Sequence, residues 1–519
     1  MSYGAPRFAP PAVWLTACPG ARVLAGEPPT ISGVTHDSRR VEPGFLFVAV
    51  PGFKTDGHRY IRDAVARGAA AVLVQDGRAG SADGAPACII AVPDTRAALA
   101  RAAAAFWGWP GRRLTVVGVT GTDGKTTTTH LIGHTLRASG IDCGYLSSVA
   151  FLSEDDPNLN ATHMTTVEAP AVQAALAAMV ASRKRAAVVE ASSHGLALHR
   201  LDECEFDVGV FTNLTRDHLD FHETMDAYRD AKARLFEMVA STAGKPFARR
   251  AAILNAADAA SAHMASRCPG VPVFWYGLEG AAIRARDLVA GPDGTSFELV
   301  TPGGAARCLL RLPGRHNVEN ALAAAAVATS QGIAPAAIAG ALSSFRSVPG
   351  RLEPIDEGQP FRVFVDIAST PEAFRKVLEV LRTTHRGRLI AVFGAAGERD
   401  RNRRFGMGAV AAELADFSVL TNEDPRSEDP EAILDDIARS MIRAGAIEGE
   451  RFVRIPDRRQ AIAAAFARAE AGDTVLLAGK GTEQAIDLAD GPMPWDERDV
   501  AREELRELRA LSRARRPAT

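Results

Sequence analysis

The residues of this 519-residue sequence with the clearest chemistry are GVTGTDGKTTT, Gly118 to Thr128. Glycines at 118, 121 and 124 let a backbone approach phosphate oxygens, and a helix opening at Lys125 adds the positive end of its dipole. Lys125 is placed to contact the β- and γ-phosphates of a nucleoside triphosphate, and the Thr126 hydroxyl to ligate Mg²⁺. Gly121, Thr122, Asp123, Gly124, Lys125, Thr126 and Thr127 are therefore the candidate ATP-binding run. Its spacing is a variant of the usual phosphate loop, because the position five residues before Gly124 is Val119.

Such a loop needs a strand before it and a helix after it. RLTVVGVTG (Arg113 to Gly121) supplies the strand, and RAAVVEASS and VGVFTNL continue the same α/β unit as further strand candidates. Upstream, FLFVAVPG and AAAVLVQDG flank a predicted helix, YIRDAVARG, and the helical run TRAALARAAAAFWGWP is predicted to end at Pro110. A closing helix, NVENALAAAAVATSQG, precedes VPGRLEP, a Pro- and Gly-rich boundary. Beyond it RVFVDIA, RLIAVFGAAG, DFSVLTNED and DTVLLAGKG alternate with helices, the pattern of a Rossmann-like parallel sheet. The expected class is α/β with three domains, at 1–109, 110–347 and 348–519. The terminal run DERDVAREELRELRALSRARR is expected to be a solvated, charged helix.

Lys and Arg number 60 against 62 Asp and Glu, a net charge of −2, so no whole-chain electrostatic case for nucleic-acid or acidic-membrane binding arises. Six scattered cysteines without a CxxC pair argue against a zinc or iron–sulfur site and for a reducing compartment. The first residues lack the basic start and apolar core of a signal peptide, and no apolar run reaches ~18 residues. A cytoplasmic monomer acting on small molecules is the expectation.

Longer motifs narrow the chemistry. EASSHGLALHR (Glu190 to Arg200), FTNLTRDHLDFHETMDAYRDAKARLF (Phe211 to Phe236), THDSRRVEPGFLFVAVPGFKTDGHRYI, LPGRHNVENALAA, GERDRNRR, NEDPRSEDP and GKGTE sample all three predicted domains. Together they resemble the Mur ligase family, and within it the ligases that add the third residue of the peptidoglycan stem peptide. The resemblance implies a central P-loop ATPase domain and a C-terminal Rossmann-like domain. It also implies amide-bond formation driven by ATP hydrolysis to ADP through an acyl phosphate, on UDP-N-acetylmuramoyl-L-alanyl-D-glutamate.

By the same resemblance Glu190 and His218 belong to the Mg²⁺ site, and Lys232 is the family lysine that takes up CO₂ as a carbamate. A carbamate turns a cation into an anionic oxygen ligand suited to Mg²⁺. With Lys125 these three are the candidate catalytic set, and with Thr126 they are the candidate metal set. Asn317, Asn320, Arg351 and Asp366 are implied in ATP binding. Asp37, Ser38, Arg39, Thr165, Thr166, Ser192 and Arg200 are implied in holding the UDP-linked substrate, Arg200 as a fork for a carboxylate. Arg399, Asp424, Arg426, Gly479 and Glu483 are implied in embracing the incoming amino acid. Arg426 favours diaminopimelate over lysine, whereas Asp424 adds a negative charge where the family carries Asn. Further departures are Asp123 in the phosphate loop, Val167 after the two threonines, Ile367 and Ser369 for a Tyr and a His, and Thr482 for a His. They point to a changed choice of amino acid, with a diverged relative that joins an amino acid to a different carboxylate in a specialised pathway as the alternative.

Overall fold

The computed structural model describes residues 8–53, 55–78, 80, 87–162, 164–291, 294–384 and 386–514. The chain forms two compact units, the second built on residues 343–519 together with the short stretches 287–297 and 309–318.

The first unit holds a five-stranded sheet ordered Arg22–Ala25, Cys88–Val92, Ala71–Gln75, Phe45–Val48, Gly33–Thr35. All neighbours are parallel except the edge strand Arg22–Ala25. The helix Thr95–Trp107 covers it with an alanine-rich buried face and begins where the Asp94 carboxylate accepts the N–H groups of Arg96 and Ala97. It stops before the expected Pro110, because Gly108 adopts φ +72° and closes it as a left-handed cap.

Most strands of the central sheet also lie in the first unit. Its middle runs Cys143–Leu146, Ala186–Glu190, Thr115–Thr120, Val208–Phe211, Ala251–Asn255, all parallel and wholly buried. The near-continuous apolar runs follow from burial on both faces. Register matters for the chemistry: Glu190 pairs with Val119 and Phe211 with Thr120, so three strand ends converge where the phosphate loop starts. This is the crevice at the carboxyl ends of strands where α/β folds bind ligands.

The second unit carries a six-stranded sheet ordered Glu353–Ile355, Arg362–Asp366, Thr474–Ala478, Leu389–Phe393, Phe417–Leu420, Phe452–Arg454. It is parallel apart from its first strand. The terminal helix Glu497–Ala514 corrects the expectation of a solvated element. Val500, Ala501 and Leu505 are buried in one core with Ile355, Val363 and Ile462. The apolar positions form a stripe at helical spacing, and the abundant charges hid it in the sequence. Among the described residues no helix is long and apolar enough to cross a membrane.

Candidate active site

The phosphate loop depends on two glycines. A Cβ at Gly121 (φ +151°) would lie 1.8 Å from the Thr212 hydroxyl, and one at Gly124 (φ +81°) would lie 2.4 Å from Asn320 Oδ1. The segment after the strand Val208–Phe211 braces the loop: the Thr212 hydroxyl donates to the Asp123 carbonyl at 2.7 Å, and Asn213 Oδ1 accepts the Asp123 N–H at 2.9 Å. The Thr122 hydroxyl takes the Thr215 N–H at 3.0 Å. Behind the loop the Thr128 hydroxyl donates to Asn320 Oδ1 at 3.2 Å. The helix Lys125–Ala138 opens at Gly124 with no side-chain cap, and the N-terminus of a helix is where an anion binds. The Lys125 ammonium curls onto the Gly121 and Thr122 carbonyls at 3.2 and 2.8 Å. Asp123 is exposed and Thr127 half-buried.

The Glu190 carboxylate is buried at 1% exposure and accepts the Thr126 hydroxyl at 3.0 and 3.1 Å. Ser148 adds its N–H at 2.8 Å and its hydroxyl at 3.0 Å, a partner that sequence reasoning missed. Lys232, on the helix Met225–Ser241, is equally buried. Its amine donates to the Gly121 carbonyl at 2.6 Å and lies 4.3 Å from the Tyr228 ring centre. Burial, reinforced by the neighbouring Lys125 charge, holds Lys232 well below the usual lysine range. A neutral amine is the form that reacts with CO₂.

These groups fit a hard cation. The donors are a buried carboxylate and a hydroxyl beside a phosphate cradle, the oxygen set that suits Mg²⁺ when substrate phosphates and water complete it. Among the described residues no group of three or more His, Cys, Asp or Glu side chains is assembled for a metal ion. His218 sits at φ +52° ahead of the four-residue helix that ends at His222, half exposed and 3.3 Å from Asp217. Both histidines flank His194, their ring centres 4.9 and 5.4 Å from it, and Phe221 stacks on His194 at 4.3 Å.

The residues expected to hold the UDP-linked substrate fall in two groups. Asp37 caps the short turn Ser38–Arg40, and the Arg39 guanidinium bonded to it holds its carboxyl below the usual range. Arg39 is exposed and Ser38 half-buried. In the other group the Thr166 hydroxyl donates to the Glu190 carbonyl at 2.7 Å and accepts the Ser192 hydroxyl and N–H at 2.9 and 3.0 Å. Arg200 donates to the Thr166 carbonyl at 3.0 Å and pairs with Glu168 at 2.8 Å. Thr165 is half-buried beside Thr166, and Val167 is buried.

In the second unit both oxygens of Asp366 accept backbone N–H groups, of Leu352 and Ala368, each at 2.8 Å. Asp366 thus braces the turn that carries Arg351, and burial raises its pKa. Asn317 donates to the Pro313 carbonyl at 2.7 Å. Asp424 accepts the buried Lys480 ammonium at 2.7 Å and the Asp487 N–H at 2.8 Å, and Lys480 also pairs with Glu483 at 2.6 Å. Lys480 lies within GKGTE with no role implied for it, and the structure makes it the neutraliser of Asp424. Arg426 (φ +55°) donates to the Gly397 carbonyl at 3.1 Å, and Arg399 is exposed nearby in sequence. A Cβ at Gly479 (φ +110°) would lie 3.1 Å from Glu423 Oε2. Burial raises Glu423 to about 7.

A parallel sheet ending in a phosphate loop, with a strand-end carboxylate and a buried lysine against that loop, defines a nucleotide-using enzyme of the P-loop class. Residues 30–107 match the description "Mur ligase family, catalytic domain", 119–328 "Mur ligase middle domain", and 350–481 "Mur ligase, glutamate ligase domain". The chain is 46% identical over 494 residues to the UDP-N-acetylmuramyl-tripeptide synthetase of Roseiflexus sp. (strain RS-1), covering 92% of this chain and 95% of that protein. It is 44% identical to the protein of the same name from Deinococcus radiodurans, with the same coverage. A solved UDP-N-acetylmuramoyl-L-alanyl-D-glutamate--2,6-diaminopimelate ligase superposes with a TM-score of 0.64 at 30% identity, over 94% of this chain and 97% of that one. The protein belongs to the Mur ligase family.

Proposed function

We propose that this enzyme is an ATP-dependent, ADP-forming ligase that adds an amino acid, meso-diaminopimelate in preference to lysine, to UDP-N-acetylmuramoyl-L-alanyl-D-glutamate. The observation that carries the reading is the Thr126–Glu190 pair and buried Lys232 gathered at the Gly121–Lys125 loop, in a chain that matches the tripeptide synthetases along 92% of its length.

The substrate carboxylate attacks the γ-phosphate, ADP leaves, and the amine of the incoming amino acid displaces phosphate from the acyl phosphate. Carboxylate and triphosphate repel one another, so their charge must be countered before they meet. Lys125 does this by leaving the Gly121 and Thr122 carbonyls for the phosphates, beside the uncapped helix N-terminus. Thr126, Glu190 and Lys232 as its carbamate would hold Mg²⁺, with His218 at the rim; when bound, the ion neutralises phosphate oxygens. Asn320 sets the loop through Gly124, while Asn317, Arg351 and Asp366 serve the nucleotide. Asp37, Ser38 and Arg39 take the uridine diphosphate, and Thr165, Thr166, Ser192 and Arg200 the peptide carboxylates.

Arg399, Asp424, Arg426, Gly479 and Glu483 select the amino acid. Because Lys480 answers the charge of Asp424, Arg426 keeps its pull on a distal carboxylate, which supports diaminopimelate. We assign the three functions to residues 1–109, 110–347 and 348–519 and read the enzyme as a cytoplasmic monomer.

The test is ADP release with Mg-ATP, the UDP-linked dipeptide and a panel of meso-diaminopimelate, L-lysine and L-ornithine, with product masses recorded. A diaminopimelate adduct is the expected product. ATP binding without turnover for any member of the panel overturns the assignment of the acceptor.

A further inference from the structure

The loops that carry Asp424 and Lys480 are tied to a pair of residues no motif contains. Arg458, at the start of the helix Arg458–Arg468, is 3% exposed, and Glu497, at the start of the terminal helix, is fully buried. The guanidinium Nε donates to both carboxylate oxygens, at 3.1 and 2.9 Å, and Nη2 to Oε1 at 2.6 Å. The remaining donors reach outward: Nη1 to the Asn422 carbonyl at 2.9 Å and Nη2 to the Ala478 carbonyl at 2.8 Å. Asn422 immediately precedes Glu423 and Asp424, and Ala478 immediately precedes Gly479 and Lys480. One planar fork therefore fixes the starts of both loops at once. The Trp495 indole N–H donates to Glu497 Oε2 at 2.7 Å, so the carboxylate itself is held in place.

A buried ion pair is weak evidence for stability as such, since desolvation offsets much of the attraction. Its geometry here has a further effect. Glu423 and Asp424 lie within the field of Arg458, and Glu423 Oε2 is buried without a hydrogen-bond partner among the described residues. With its charge satisfied by Glu497, Arg458 can donate to the Asn422 and Ala478 carbonyls and leave Asp424 to Lys480. A neutral residue at 497 would free the guanidinium to turn toward these two carboxyls and draw the 422–424 loop out of register with 478–483.

We propose that Arg458 and Glu497 are positioning residues for the incoming amino acid, setting the two loops that bind it from behind and making the terminal helix part of the specificity apparatus. This rests on the functional reading above. The experiment compares wild type, Glu497→Gln, Arg458→Lys and the milder Trp495→Phe, recording KM for the amino acid, KM for ATP, kcat and thermal melting. The expected result for Glu497→Gln is a rise in KM for the amino acid of roughly 10- to 100-fold, with KM for ATP unchanged. Trp495→Phe shifts the same constant in the same direction by a smaller factor and stands in if the charged variants fail to fold. Unchanged amino-acid KM in variants that melt like wild type overturns the proposal, as does a parallel rise in both KM values. Absence of turnover by wild type with every amino acid overturns the functional reading instead, and the positioning role with it.

Discussion

Replacing Glu190 by glutamine separates a metal-holding carboxylate from a structural one. The native carboxylate accepts the Thr126 hydroxyl, the Ser148 N–H and the Ser148 hydroxyl. Glutamine keeps an oxygen for the Ser148 N–H, and its NH₂ can donate to the two hydroxyls, whose protons rotate away. The folding cost is then no more than about 1 kcal/mol, a shift of only a few degrees in Tm. The charge cost is larger. A unit charge ~4 Å from a unit of opposite charge, at an effective dielectric of about 20, is worth ~4 kcal/mol. At ~1.4 kcal/mol per tenfold, even that single unit-charge pair corresponds to about 10³ in Mg²⁺ affinity. The Mg²⁺ concentration for half-maximal ADP release in Glu190→Gln should accordingly rise at least tenfold, while the melting curve stays within a few degrees of wild type. A variant that melts normally and needs no more Mg²⁺ than wild type refutes the assignment of Glu190 to the metal.

Three other outcomes follow from the same geometry. Gly124→Ala forces a side chain into φ +81° at roughly 1–2 kcal/mol and pushes Asn320 off the Thr128 hydroxyl at about 1 kcal/mol; ATP affinity by calorimetry should fall at least tenfold. Lys232→Met removes a buried amine whose hydrogen bond is to Gly121, so the melting temperature should hold or rise while turnover drops more than ~10-fold; wild type stripped of CO₂ should recover turnover on adding bicarbonate. Glu423 has its folded pKa raised from 4.5 to about 7, so the stability it contributes is present below pH 4.5 and is lost as pH rises through about 7. Glu423→Gln should flatten that fall, by no more than about 3 kcal/mol in denaturant melts at pH 5 and pH 8, and an unchanged difference would count against it.

The strands, the phosphate loop and the family were legible because their signals are local. A buried parallel strand is a short apolar run, and Gly121, Gly124, Lys125 and Thr126 are contiguous. What escaped depends on contacts remote in sequence. Ser148 reaches Glu190 across 42 positions, Thr212 and Asn213 brace a loop about 90 residues away, and Arg458 meets Glu497 over 39. The terminal helix was misread for a related reason: charge count does not report which face a residue is on, and Glu497 and Glu504 are buried by partners, Arg458 and Arg459, that lie on another helix.

Three of the departures from the family pattern, Ile367, Thr482 and Asp424, are accommodated inside the second unit, by shape or by charge, and this bears on where amino-acid choice resides. Ile367 and Thr482 share one corner: a Cβ on Gly481 would lie 2.7 Å from Ile367 Cβ, and one on Gly350 would lie 2.8 Å from Thr482 Cγ2, while the Ile367 N–H bonds the Gly350 carbonyl at 3.1 Å. Ile367 and the Thr482 methyl fill a space defined by two glycines, which is a packing solution. Asp424 is compensated by charge, because Lys480 is fully buried between it and Glu483. Neither change projects a new charge toward a ligand. The Arg426 guanidinium, which matches the family pattern, is only loosely held, 3.8 Å from Asp487 and 3.1 Å from the Gly397 carbonyl. Arg426→Ala should therefore cut the preference for diaminopimelate over lysine about tenfold or more, the worth of one charge-assisted hydrogen bond. Asp424→Asn should weaken both amino acids together, because it unsettles Lys480 and the loop without altering what the loop presents. Competition between the two amino acids at fixed ATP reads the ratio directly; a preference that moves with Asp424→Asn and not with Arg426→Ala would place the choice in the carboxylate after all.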